Sequence, residues 1–79
     1  MISDAELQEI LNRCQNATPG PWVSFVEGRD HESGSSFIQT SGGDIELLGT
    51  STADQDFIAH SRTDIPKLIE EIRRLKQLA

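Results

Sequence analysis

The chain has 79 residues and a mass of 8.7 kDa, enough for one small domain over 1–79. Hydrophobic residues make up 35% of it, so the core is small and a partner would be a welcome source of extra stability. The single Cys14 excludes an internal disulfide and a thiolate zinc cage. The net charge of −6 is unevenly spread. Arg13, Arg29 and Arg62 face eleven acids in residues 1–66, whereas Lys67, Arg73, Arg74 and Lys76 outnumber Glu70 and Glu71 beyond them. Such an acidic body repels a phosphate backbone and argues against general nucleic-acid binding. No run approaches the about 18 consecutive apolar residues of a membrane span, and MISDAELQEI is not a signal peptide. A cytoplasmic, membrane-free protein is the expectation.

Ser3-Asp4-Ala5-Glu6 has the spacing of a capping box, with Ile2 and Leu7 placed for a hydrophobic staple. Leu7, Ile10, Leu11 and Cys14 then form one apolar stripe, which predicts a helix over 3–16. Pro19-Gly20-Pro21 stops it, because each proline removes a donor and pushes its predecessor toward extended geometry.

Residues 22–26 (Trp-Val-Ser-Phe-Val) and 36–40 (Ser-Phe-Ile-Gln-Thr) are rich in β-formers and predict two strands. The polar stretch from Glu27 to Gly34 reads as an exposed hairpin loop, in which Asp30-His31-Glu32 is too free to preorganise chemistry. Ser41-Gly42-Gly43-Asp44 reads as a turn, and Ile45 to Gly49 as a third strand.

Thr52-x-x-Gln55 has capping-box spacing and opens a short helix through Ala59; Thr63 or Asp64 then caps a new helix with Pro66 in its first turn. Ile65, Leu68, Ile69, Ile72 and Leu75 make its apolar stripe. The expected fold class is therefore α+β: a three-stranded antiparallel meander flanked by an N-terminal helix and a C-terminal helical segment, in the order α-β-β-β-α-α. Positions 65, 68, 72, 75 and 79 also fit an a/d heptad series, which reads either as a dimer seam or as ordinary packing of the stripe on the chain's own sheet; with so small a core, a homo-oligomer is the expectation.

Three strings are candidates for chemistry. Ala17-Thr18-Pro19-Gly20-Pro21-Trp22 is a stiff turn that delivers the only Trp to a fixed place, as a plug between helix and sheet or as a platform for a base. His60-Ser61-Arg62-Thr63-Asp64 lies at the expected helix junction, where free amides beside Arg62 would form a small anion pocket. The bland alternatives there are a cap at Thr63 and an ion pair of Arg62 with Asp64 or an acid of the body. Asp54, Asp56 and His60 could offer metal ligands, but a hard-cation site wants more oxygens, and no metal or other cofactor is expected. Cys14 on the apolar stripe reads as a small hydrophobe, and no phosphate-binding glycine loop is present, so the chain does not read as an enzyme.

ATPGPW at 17–22 together with ADQDFIAHSRTDIPKLIEEIRRL at 53–75 resembles a group of small phage and prophage accessory proteins. Ead-like early proteins of lambdoid phages are similar to part of that frame. The resemblance covers the two ends of the chain, roughly half of it, and leaves 23–50 unmatched. It implies a phage gene product acting in a bacterial cytoplasm, of the kind that counters host defence by capturing a nucleotide signal or occluding a host protein. On that reading Trp22 stacks on a base or another aromatic group. Arg62 with the Thr63 amides, and His60 or Arg29, meet its phosphate. The competing expectations are an inhibitor that docks on a host protein through its acidic surface, and a structural or regulatory subunit without a ligand.

Overall fold

A computed structural model describes residues 1–78. The first helix, α1 (Asp4–Asn16), starts as the local code dictates. The Ser3 hydroxyl accepts the Glu6 amide at 3.1 Å, and a Glu6 carboxylate oxygen accepts the Ser3 amide at 3.3 Å. Leu7, the staple residue, is buried. Three strands follow, β1 (Val23–Phe25), β2 (Phe37–Thr40) and β3 (Gly43–Glu46), and a final helix, α2 (Thr52–Leu78), completes the α+β fold. None of the described helices is long and apolar enough to cross a membrane.

The sheet is an antiparallel meander in the order β1-β2-β3. Ser24, Ile38 and Ile45 lie opposite one another across the three strands and so share one face. That face meets α2, where the carboxamide of Gln55 lies 3.0 Å from the Ser24 hydroxyl. The other face carries Phe25 stacked on Phe37, with ring centroids 5.3 Å apart, and His31 folds back over the pair.

Two boundaries depart from expectation. The β2–β3 turn is tighter than the four-residue reading, because Thr40 pairs directly with Gly43 and leaves only Ser41 and Gly42 in the loop. Gly43 takes the φ of 123° that closes so short a turn, and the Thr40 hydroxyl bridges it by donating to the Gly43 carbonyl at 2.6 Å. The third strand consequently begins and ends earlier than 45–49, and Leu48 lies beyond it, fully exposed. The hairpin segment between β1 and β2 is also more ordered than its composition suggests. An Asp30 carboxylate oxygen accepts the Val26 amide at 2.8 Å, Gly28 donates to the His31 carbonyl at 2.8 Å, and Gly34 donates to Glu27 at 2.8 Å.

The larger departure is in the C-terminal segment, which is one uninterrupted helix of 27 residues where two were expected. Its N-cap is Ser51, whose hydroxyl accepts the Asp54 amide at 3.0 Å while Asp54 reaches back to the Ser51 amide. This cap lies one residue before the expected Thr52–Gln55 box and releases Gln55 for the interior. Pro66 sits well inside the helix. It withholds a donor from the Arg62 carbonyl one turn earlier, an interruption that ordinarily costs about 3 kcal/mol. Tertiary contacts on both sides offset that cost: Gln55 and Ala59 are buried against the sheet, and Ile69 is buried against α1.

The two helices run antiparallel. Lys76 near the end of α2 donates to the Ile2 carbonyl at 3.2 Å and pairs with Asp4 at 2.7 Å, tying it to the start of α1.

Candidate functional site

The ATPGPW turn is where all the elements meet. The Thr18 carbonyl accepts two side-chain donors, the Trp22 indole N–H at 2.9 Å and the Arg62 Nε–H at 3.0 Å. The next carbonyl, of Pro19, accepts the Ser41 hydroxyl from the β2–β3 turn at 2.9 Å. Gly42 of that turn sits so close to Thr18 that a Cβ there would come within 3.0 Å of its methyl group. The Gly20–Pro21 peptide bond is cis. One short turn therefore binds the end of α1, the start of β1, the far hairpin and the middle of α2.

Trp22 and Arg62, nominated separately from the sequence, are thus brought together on one acceptor. Beside them opens a cleft of about 210 Å³ walled by Ile10, Cys14, Ala17, Trp22 and Ile65, with Arg13 and Arg62 also lining it. Arg62 spends only its Nε–H on Thr18, and neither arginine forms an ion pair among the described residues, although the chain carries thirteen acids. The lining is therefore almost entirely apolar, an indole and aliphatic carbon, with Arg13 and Arg62 bordering it outside any ion pair and adding little polar surface.

The remaining nominees lie elsewhere. Thr63 is exposed in the middle of α2 rather than at a helix start. Backbone amides inside a continuous helix already donate to the preceding turn, so the anion pocket expected from free amides at the 60–64 junction does not form. Nor does Arg62 pair with Asp64; its partner is the Thr18 carbonyl. His60 is exposed on α2 and does not line the cleft. Arg29 is fully engaged in a fork to Asp56, at 2.7 and 3.1 Å, and in a further pair with Asp30 at 2.8 Å. The guanidinium of Arg29, followed by the Ser24 hydroxyl, holds the Asp56 carboxyl down at about 2. This pair clamps the β1–β2 loop to α2.

Asp54, Asp56 and His60 do not form a metal cluster; no grouping of three or more His, Cys, Asp or Glu side chains that could hold an ion occurs among the described residues.

Three residues with clear roles escaped the sequence. Arg13 enters there only as one of the three basic residues of the acidic body, and the packing of α1 against α2 places it on the same cleft as Arg62. Gln55 fits a cap by spacing, yet it is the one fully buried polar side chain among the described residues. Its Nε2 reaches the Phe25 and Phe37 carbonyls, each at 3.1 Å, as well as Ser24. His31 has its Nδ1 within 2.7 Å of the Ser33 hydroxyl, while its buried Nε2 has no hydrogen-bond partner among the described residues.

Comparison with protein-family models, with curated proteins and with solved structures returns no match for this chain.

Proposed function

We propose that the chain is a non-enzymatic binding protein, a phage accessory factor that counters a bacterial defence by capturing a nucleotide-like ligand in the Trp22–Arg62 cleft. The observation that carries this reading is the pair of unpaired arginines, Arg13 and Arg62, beside an indole in an otherwise acidic molecule. A heterocyclic base suits the indole and the aliphatic wall, where stacking contributes about 1–3 kcal/mol. A phosphate suits the two guanidinium groups, each charge-assisted bond adding about 1.5–3 kcal/mol. At about 210 Å³ the cleft is smaller than the usual ligand pocket of about 300–1,000 Å³, so it holds one end of a ligand and leaves the rest outside.

Titration with a panel of nucleotides and their parent nucleosides, read by quenching of the only Trp, tests the proposal. The phosphorylated members are expected to bind and the nucleosides to bind at least tenfold more weakly. Arg13→Gln, which removes no contact holding the fold, is expected to lower affinity about tenfold or more, equivalent to about 1.4 kcal/mol or above. Equal affinity for nucleoside and nucleotide, or an indifferent Arg13 variant, would sink it.

A second reading, occlusion of a basic host protein, is favoured by β3. That edge strand is exposed along its whole length and carries Asp44 and Glu46. Docking of this kind weakens steeply with added salt, whereas a stacked cleft responds much less.

A further inference from the structure

The buried face of α2 takes only part of its apolar stripe, Ile69 with half-buried Ile72 beside it. Toward the sheet and α1 it turns Gln55, Ala59, Arg62, Pro66 and Ile69, each buried or half-buried. Most of the heptad series, with Ile58 one heptad before it, lies next to that face and stays open: Ile58 and Ile65 are 36% and 38% exposed, Leu68 and Leu75 are 61% and 52% exposed, and Ile72 is half-buried. Met1 and Ile2, at the entrance to α1, prolong this surface beside Ile72 and Leu75. The molecule is correspondingly drawn out, 50 × 22 × 18 Å, with a radius of gyration of 15.3 Å, against about 12 Å for a compact domain of this length.

From Ile58 to Leu78 the open stripe runs about 30 Å at 1.5 Å per residue. With α1 alongside, the face is about 20 Å wide, allowing 8–10 Å between axes. Its plan area of about 600 Å² approaches the roughly 800 Å² of accessible surface that each partner of a standard interface contributes. Two features choose the occupant. Turned end for end on itself, the stripe sets Ile58 opposite Leu75 of the second copy, and Ile65 opposite Leu68 of the second copy, so a and d positions meet as an antiparallel helix pair requires. The same turn keeps the basic ends of the two α2 helices, Arg73, Arg74 and Lys76, at opposite tips, whereas a parallel pairing would set these like charges side by side.

We propose that this face is covered by a second copy of the chain, the two α1–α2 pairs packing about a two-fold axis near Ile65 and Leu68 as an antiparallel four-helix bundle. The interface is isologous, so one apolar face closes both chains and leaves none open. Ile65 sits at the axis of this face and also walls the Trp22–Arg62 cleft, so the second copy closes against that cleft and pairing competes with any ligand there.

Sedimentation equilibrium of the ligand-free protein over a concentration series tests the pairing. The expected mass is twice the chain's 8.7 kDa. Leu68→Glu, at an exposed position, is expected to keep the helical circular dichroism and to weaken association at least a hundredfold. A chain monomeric at hundreds of micromolar, or a Leu68→Glu variant that pairs as before, would overturn the proposal. Orientation is read from cross-linking in a Cys14→Ser background. Ile58→Cys protein mixed with Leu75→Cys protein should form the mixed disulfide. Homodisulfides of each protein alone would show a parallel pairing and overturn the antiparallel one.

Discussion

One helix serves two regions that solve the same problem differently. Around the sheet, α2 lies on one face and the His31 loop folds over the other, so the centre of the sheet at β1 and β2 is covered from both sides within a single chain while β3 stays exposed at the edge. Along the helix pair, α1 covers one face of α2 and leaves the more apolar neighbouring face in solvent. In the first region the key anchor is polar, Gln55, saturated by backbone carbonyls. In the second the anchors are aliphatic, Leu7 and Ile69, and the surplus of aliphatic side chains points outward. A small chain can thus keep its polar accounts balanced locally and still reserve hydrophobic surface for association.

Substitutions can break or sharpen this contrast. Ile69→Ala should have the largest effect, a loss of about 2–5 kcal/mol from the cavity between the helices, read by chemical denaturation. Gln55→Leu should follow closely: it strands the Phe25 and Phe37 carbonyls away from water, at about 1–3 kcal/mol for each unsatisfied group. A loss of about 3 kcal/mol lowers the melting temperature of a domain this size by more than about 10 °C. If Gln55→Leu were neutral, the polar anchoring of the sheet would be wrong. Pro66→Ala should act in the opposite sense, raising stability by about 1–2 kcal/mol, because it restores a donor to the Arg62 carbonyl inside an unbroken helix. Smallest of all, Leu68→Ala should change the stability of the dissociated chain by less than about 0.5 kcal/mol although Leu68 adjoins Ile69.

Acid should loosen the clamp between the β1–β2 loop and α2. The carboxyl of Asp56 is depressed from 3.8 to about 2 in the folded chain by Arg29, so it binds a proton more readily once unfolded. Its contribution is complete above its ordinary value and is lost as pH falls toward about 2. Melting temperatures measured from pH 5 to pH 2 should fall, and Asp56→Asn should flatten that slope. An unchanged slope would mean that the Arg29 fork is not maintained in solution.

How far the sequence could be read depended on the range of the forces involved. The first helix was legible to within a residue, because Ser3, Glu6, Ile2 and Leu7 act within one turn of one another. The three strands were legible as a meander, but Gly42-Gly43 admits more than one turn register, and only cross-strand pairing selects the short one. Pro66 and the polar run before it obeyed the local rules for a helix break, and burial on both sides overruled them. The cleft was half legible: Trp22 and Arg62 stood out by type and context. That they share the Thr18 carbonyl, that Arg13 joins them and that Arg29 is consumed elsewhere all depend on residues distant in the chain.

The unbroken course of α2 through Pro66 has a geometric consequence. A helix of 27 residues is a rod of about 40 Å, so the sheet cannot swivel about a linker relative to the open helical face. In the proposed end-for-end pair, the two sheets would sit at opposite tips of a dumbbell, with their exposed β3 edges held at a fixed spacing. Any surface that recognised one tip would meet the second at a set distance. Such a particle gains avidity only on partners whose own repeat matches its length.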